Sequence, residues 1–262
     1  MIILFCRERG IKIKLRVSYF KQKYEGMPII EDISFYLQEN EFVTLIGPSG
    51  CGKSTIFNMI AGVVPIDEGK VYIDGEDRTG KTGQVSYMYQ KDLLLPWKKV
   101  IDNTALPLII KGDTKKKARE RVVSYFPLFG LEGFQYKYPS QLSGGMRQRA
   151  ALLRTYMFSR DIVLLDEPFG GLDAITRSMM QSWLLGVAEK IKASILFVTH
   201  DIEEAIYLSD RIYVLTERPA RIREEVAIRL PKPRTREVVT SSRFNQIKRH
   251  ILLNLSWKER SS

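Results

Sequence analysis

Gly47-Pro48-Ser49-Gly50-Cys51-Gly52-Lys53-Ser54 decides how this chain folds. The stretch fits G-x-x-x-x-G-K-[ST], a phosphate-cradling pattern, and its surroundings fit the pattern's context. Before it, Glu41-Phe-Val-Thr-Leu-Ile46 is a short β-rich apolar segment. After it, Thr55-Ile-Phe-Asn-Met-Ile-Ala61 can continue as a helix. The expected local structure is therefore strand, glycine-rich turn, helix start.

Each residue type has a chemical reason. Gly47, Gly50 and Gly52 allow backbone conformations and close approaches that a Cβ forbids. Successive N–H groups can then form an anion-binding concavity, closed by the positive end of the following helix. Lys53 adds a cation aimed at the outer phosphates, and Ser54 offers a hydroxyl to Mg²⁺.

Composition sets wider bounds. A chain of 262 residues with 44% hydrophobic residues can bury one large core, or one core with an inserted subdomain. No apolar run reaches the roughly 18–20 residues needed to cross a bilayer. Met1-Ile-Ile-Leu-Phe-Cys6 is too short for a signal core and reads as a β-rich N-terminal segment, so the chain is expected to stay in the cytoplasm. Cys6 and Cys51 make neither a metal pattern nor a disulfide framework. The net charge is +11, and the stretch from Glu217 to Ser262 holds 12 Lys or Arg against 5 Asp or Glu. That tail reads as a solvated, partly helical appendage, with an anionic lipid surface as the lesser reading.

Residues 11–46 read as short strands and Lys70–Ile73 as a strand before a turn. Residues 114–129 and 146–158 carry helical spacing. Asp161-Ile-Val-Leu-Leu-Asp166 and Ser194-Ile-Leu-Phe-Val-Thr199 lack alternation, as strands buried on both faces do. Ala174 to Lys192 reads as a long amphipathic helix between them, and Arg211–Thr216 as a third strand. Strands alternating with helices imply an α/β fold with a parallel sheet. The stretch of about 91–150 lacks the alternation and reads as a helical insert.

Two more motifs carry chemistry. Leu164-Leu165-Asp166-Glu167-Pro168 places two acids after an apolar strand. Asp166 suits Mg²⁺, and Glu167 can orient or deprotonate a water, a role worth roughly 10²–10⁴-fold in rate. Leu142-Ser143-Gly144-Gly145-Met146-Arg147-Gln148-Arg149 opens a helix with a serine and two glycines, a second anion cradle. One chain binding one nucleotide hardly needs two such cradles; two chains facing head to tail do.

At these residues the chain resembles the ATPase subunit of ATP-binding cassette (ABC) transporters, over roughly residues 12 to 216. The resemblance implies a P-loop NTPase (RecA-like) core, about 12–90 and 155–216, with an antiparallel β subdomain and an inserted α-helical subdomain of about 91–150. A basic C-terminal extension of 217–262 follows this 1–216 domain. It implies ATP and Mg²⁺ as cofactors, with Gly47 to Thr55 and the signature Ser143, Gly144 and Gly145 on the nucleotide. Gln90 matches the loop that contacts Mg²⁺ and the membrane partner. Asp173, in Gly171-Leu172-Asp173, matches the dimer-seam loop, and His200 the γ-phosphate switch. Ser54, Gln90 and Asp166 are the metal set; Glu167, His200 and Gln90 are the catalytic set. Tyr24, eight residues before Asp32, matches the adenine-stacking aromatic, with Tyr19 and Phe20 as rivals. Gly170-Gly171 stands where the family more often has a small non-glycine residue before Leu-Asp, which implies a looser seam loop. Glu39-Asn40-Glu41 stands where glycine is common, and Asn tolerates the left-handed backbone.

Asp92-Leu-Leu-Leu-Pro-Trp97, Asp102-Asn103, Arg218-Pro219 and Pro231-Lys-Pro-Arg234 resemble the nitrate/sulfonate/taurine importer branch. Leu94, Leu95 and Trp97 are then expected to face a permease, with packing inside the helical insert as the alternative. The implied partners are a second copy of the chain, an integral membrane permease and, indirectly, an extracytoplasmic solute-binding protein, with the chain peripheral on the cytoplasmic face of the membrane. A soluble cassette ATPase acting on nucleic acid or ribosomes is the alternative, and a P-loop metabolite kinase a further rival. The single cassette without a coiled-coil insertion disfavours the first, and Ser143–Gly145 with Asp166-Glu167 disfavours the second.

Overall fold

The computed structural model describes residues 12–159 and 161–255; Met1–Cys6, read above as β-rich, lies outside them. In chain order the elements are β1 (Ile13–Tyr24), β2 (Met27–Gln38), β3 (Phe42–Ile46), α1 (Lys53–Ile60), β4 (Glu68–Ile73), β5 (Glu76–Asp77), β6 (Ser86–Met88), α2 (Val100–Ile110), α3 (Lys115–Val123), α4 (Gly144–Phe158) and β7 (Ile162–Asp166). Then come α5 (Ala174–Ile191), β8 (Ser194–Thr199), α6 (Ile202–Leu208), β9 (Arg211–Leu215), β10 (Ile222–Ala227) and α7 (Ser242–Leu255). The chain divides into two units, residues 1–84 with 193–262 and residues 85–192.

The first unit holds two sheets. One is antiparallel in the order β2-β1-β4-β5. Residues 12–46 hold two twelve-residue strands and β3, longer than the short strands expected over 11–46. Glu25 (φ 48°) and Gly26 (φ 79°) close the β1–β2 hairpin, the positive-φ pair that a two-residue turn needs to match strand twist. The other sheet carries β10-β9-β3-β8. β3 lies parallel to both β8 and β9, and all five of its residues are buried. Asn40 turns into β3 at φ 58°, the left-handed conformation for which an asparagine suffices.

The expectation for the tail needs correction. It has the anticipated helix, α7, but Ile222–Ala227 is a strand antiparallel to β9, and Phe244 and Ile251 of α7 are fully buried. Arg211, itself buried, explains part of this folding back. Its guanidinium donates to Glu41 (3.0 and 2.7 Å) on one side and to Glu225 of β10 (3.0 Å) on the other. It also stacks over the Tyr36 ring at 3.8 Å. A buried cation is tolerable only when paired this completely.

In the second unit β6 and β7 pair in parallel. The helical segment expected over about 91–150 lies here as α2, α3 and the start of α4, and the unit also holds β6, β7 and α5. Its core gathers Phe126, Phe129, Leu131, Leu153 and Tyr156. On α5, Met180, Leu184 and Val187 are buried, the i, i+4, i+7 stripe of an amphipathic helix. The Asp102-Asn103 pair acquires a physical reason. Asn103 is fully buried; its amide accepts from Leu95 N (2.7 Å) and donates to the carbonyls of Leu95 (3.1 Å) and Lys98 (3.0 Å). Asp102 receives both arms of Arg119 at 2.9 and 2.8 Å.

Candidate functional site

The phosphate loop is a closed turn of the first unit. Gly50 (φ 76°) and Gly52 (φ 120°) adopt conformations that side-chain-bearing residues resist. Gly47 serves closeness instead: a Cβ there would stand 2.9 Å from Leu215 Cβ and 3.1 Å from Cys51 Sγ. α1 begins at Lys53 with Gly52 as its cap and no side-chain hydrogen bond to its first N–H groups. Lys53 is buried, and its ammonium donates to the carbonyls of Gly47 (2.8 Å) and Pro48 (2.9 Å). Ser49 and Ser54 are exposed, while Thr55 is half-buried. The donor-rich helix start, the glycine backbone and Lys53 fit a polyphosphate. Cys51 is buried, and burial pushes its thiol above the ordinary range, an inert environment that leaves it as a tolerated small residue.

His200 belongs to the same unit and the same edge. Ile46 stands in register with Thr199, so Gly47 and His200 leave neighbouring strands side by side. The turn after β8 is pinned by Thr199 Oγ1, which donates to Glu204 and accepts from Asp201 N at 3.0 Å. Asp201 in turn caps α6 through Glu204 N at 3.1 Å. Tyr24 ends β1 and is exposed, as is Tyr19, but Phe20 is fully buried. Phe20 therefore drops out as an adenine-stacking rival.

The second unit gathers the remaining predicted residues. Asp166 ends β7, is buried, and accepts from the Tyr87 hydroxyl at 3.2 Å. Burial first, then the charge of Asp166, pushes the Tyr87 phenol well above its ordinary range, so Tyr87 stays a neutral donor. Glu167 is half-buried at φ 43°, a left-handed backbone that costs a non-glycine residue about 1 kcal/mol or more and clusters at functional sites. Gly170 N donates to Glu167 O at 3.0 Å. A Cβ on Gly170 would meet Gln90 Nε2 at 3.4 Å. Gln90, Asp166, Glu167 and Tyr87 are thus grouped around the turn after β7. Gly171 sits at φ 79° with open space around it, so that glycine answers a backbone need.

The signature segment lies in this unit too. Ser143 Oγ accepts from Met146 N at 3.3 Å and caps α4. Gly144 and Gly145 are helical, and the absent side chain of Gly144 admits Leu172 in the lead-in to α5. A Cβ on Gly144 would meet Leu172 Cδ2 at 3.3 Å, and one on Gly145 would meet Thr176 Cγ2 at 3.4 Å. Asp173 caps α5 by accepting from Thr176 N at 2.9 Å. Signature and seam loop are therefore neighbours.

The apolar surface after Gln90 is corrected in its membership. Leu94 is buried and Leu95 half-buried, while Leu93 and Trp97 are 52% and 71% exposed. Arg154 donates to the carbonyls of Leu93 (2.7 Å) and Asp92 (2.5 Å) from behind. With Asn103 it fixes the loop so that Leu93 and Trp97 point outward. Tyr87, Arg154 and Leu93 were missed from sequence; the tyrosine's position on the strand beside Asp166 was the available signal for the first.

No helix among the described residues is long and apolar enough to cross a membrane. The ABC transporter family pattern matches residues 30–170. The chain is similar to the aliphatic sulfonates import ATP-binding protein SsuB of Bacillus cereus, at 41% identity over 90% of this chain and 91% of that protein. It is also similar to the formylaminopyrimidine import ATP-binding protein ThiZ of Halalkalibacterium halodurans, at 43% identity over 84% and 85%. Among solved structures it resembles a dimeric bacterial ABC transporter cassette, with TM-score 0.70 and 28% identity over 83% of this chain and 100% of the other. Both named relatives are import subunits, so the nucleic-acid alternative is not favoured. Motif order, fold and relatives agree: this chain belongs to the ABC transporter family, as an ATP-hydrolysing subunit of its importer branch.

Proposed function

We propose that this chain, peripheral on the cytoplasmic face of the membrane, energises uptake of a small solute through a separate permease, with two copies closing over two ATP molecules. The observation that carries it is the pair of unlike cradles in one chain: a loop with an open, uncapped helix start, and a signature segment presented on another helix. Each nucleotide is held by Gly47–Thr55 of one copy and Ser143–Gly145 of the other, with Tyr24 on adenine and Asp173 at the seam.

Ser54, Gln90 and Asp166 supply a hydroxyl, an amide and a carboxylate oxygen, the hard donors Mg²⁺ takes when phosphates complete its shell. When bound, Mg²⁺ neutralises charge that builds on the phosphates during transfer. Lys53 contributes fixed positive charge to the same end. Glu167 orients and deprotonates the attacking water, and His200 registers whether the γ-phosphate is present. Loss of that phosphate removes the contacts between copies, so closure is reversible.

Leu93 and Trp97 offer the permease an apolar anchor on a fixed loop, of the kind enriched at interfaces. The solute is small and sulfonate-, nitrate- or taurine-like, or related; the two relatives name different solutes, which fits selection by the permease and a solute-binding protein. The test is Glu167→Gln with Mg·ATP on a sizing column. A stable pair with turnover lowered about 10²–10⁴-fold is expected; a strictly monomeric variant overturns the reading. Leu93→Ala with Trp97→Ala should abolish permease-stimulated ATPase while sparing the basal rate.

A further inference from the structure

We infer that Arg218 is a further nucleotide-binding residue, a second cation beside Lys53 that meets the phosphate chain of the bound nucleotide. The inference rests on the reading that Gly47–Ser54 holds ATP. β9 lies parallel to β3, with Ile46 in register with Val214. The chain therefore leaves both strands at the same carboxyl edge, where ligands of open α/β sheets bind. From β3 it runs into the phosphate loop; from β9 it runs into the turn that carries Arg218. The close approach of Leu215 to Gly47 welds the two exits together.

That turn is held firmly. Thr216 N donates to Arg221 O at 3.0 Å, and Arg221 N donates to Thr216 Oγ1 at 2.9 Å. Ala220 N donates to Ile29 O at 2.8 Å, and Ala220 O accepts from Glu31 N at 2.9 Å. Arg218 Nη2 stands 4.0 Å from where a Cβ on Gly50 would lie. The neighbouring arginines are engaged: Arg221 pairs with Glu31 at 2.8 Å, and Arg223 donates to the Asn254 carbonyl at 2.8 Å. Arg218 is exposed and has no hydrogen bond or ion pair among the described residues. A cavity of about 380 Å³ between Pro48 and Asn254 adjoins it, which leaves its guanidinium room to turn. A planar fork of donors on a rigid base suits phosphate oxygens, which it can grip two at a time.

The experiment is calorimetric titration of the full chain with a non-hydrolysable ATP analogue at low and moderate salt. Arg218→Ala should weaken binding on the order of tenfold, the loss of one charge-assisted contact, and flatten the salt dependence. Arg218→Lys should recover part of the affinity, and the exposed control Arg229→Ala should leave it unchanged. If Lys53→Ala loses binding while Arg218→Ala matches wild type, the assignment of Arg218 fails alone. If Lys53→Ala also binds like wild type, the underlying reading of the loop fails. Unchanged affinity in Arg218→Ala, with loss of the ATP-held pair in a Glu167→Gln background, would place Arg218 at the seam between copies and overturn the proposal.

Discussion

The phosphate loop and the signature segment look alike in sequence, each a run of small residues opening a helix, yet they solve opposite problems. In the first, glycines supply positive φ at Gly50 and Gly52, and α1 starts with no side chain on its free N–H groups. In the second, Gly144 and Gly145 are helical, and Ser143 closes the helix with its own oxygen. At Gly144 the missing side chain admits Leu172, whereas a Cβ on Gly145 would find only ordinary contact with α5. An uncapped helix start keeps its donors for an outside anion. A self-capped one is already satisfied; what Ser143 has left to give is its hydroxyl proton.

The largest effect should come from Lys53, the buried cation of the first region. Lys53→Ala removes a buried ammonium that braces the loop through the Gly47 and Pro48 carbonyls. ATP affinity should fall by about a hundredfold, the upper range for one charged contact, measured by calorimetry. A loss under about threefold would erase the contrast between the two cradles.

A matched pair of alanines sharpens it. Gly52→Ala places a Cβ at φ 120° and 3.3 Å from Ile29 Cγ2, which should cost about 1–3 kcal/mol. Gly145→Ala meets Thr176 Cγ2 and Met180 Sδ of α5 at 3.4 and 3.5 Å, ordinary contact for a residue on a helical backbone, and should gain about 0.5–1 kcal/mol. Denaturant midpoints should therefore move in opposite directions. Movement of both the same way would mean that the glycines share one role after all.

The sequence made the parallel core legible for a simple reason. β3, β7 and β8 are buried along their whole length and read as near-continuous apolar runs without alternation. The motifs were legible because each needs fixed residue types at fixed spacing. What escaped was whatever depends on side chains meeting from afar. β10 was hidden because Arg223, Glu224 and Glu225 resemble a solvated charge run; the pairing of Glu225 with the buried Arg211 is part of what draws the strand in. Leu93 exchanged places with Leu94 because a loop has no period to say which leucine turns inward. The hydrogen bond from Tyr87 to Asp166 joins residues 79 apart.

Capping separates the regions by a smaller amount. Ser143→Ala leaves the Met146 N–H without its acceptor and should cost about 1 kcal/mol of stability, read from chemical denaturation. α1 has no side-chain cap to lose. If Ser143→Ala unfolds at the wild-type midpoint while ATPase falls, the serine's hydroxyl matters for chemistry and its capping role is negligible.

The smallest effect concerns pH and the seam loop beside the signature. Asp173 caps α5 with an ionised carboxylate, held below its ordinary range first by the Thr176 hydroxyl and then by the Thr176 N–H. A lowered folded-state value means that its contribution is present above the unfolded value, near 3.9. The contribution fades as pH falls through the lowered folded value. Asp173→Asn keeps an oxygen for the cap but cannot titrate there. Stability followed from neutral pH down to about pH 2 should thus fall less steeply in Asp173→Asn than in wild type, with the curves parallel above about pH 5. The exposure of Asp173 keeps the difference small. Curves parallel throughout would show that the carboxylate charge contributes nothing at this cap, and that α5 is started by hydrogen-bond geometry alone.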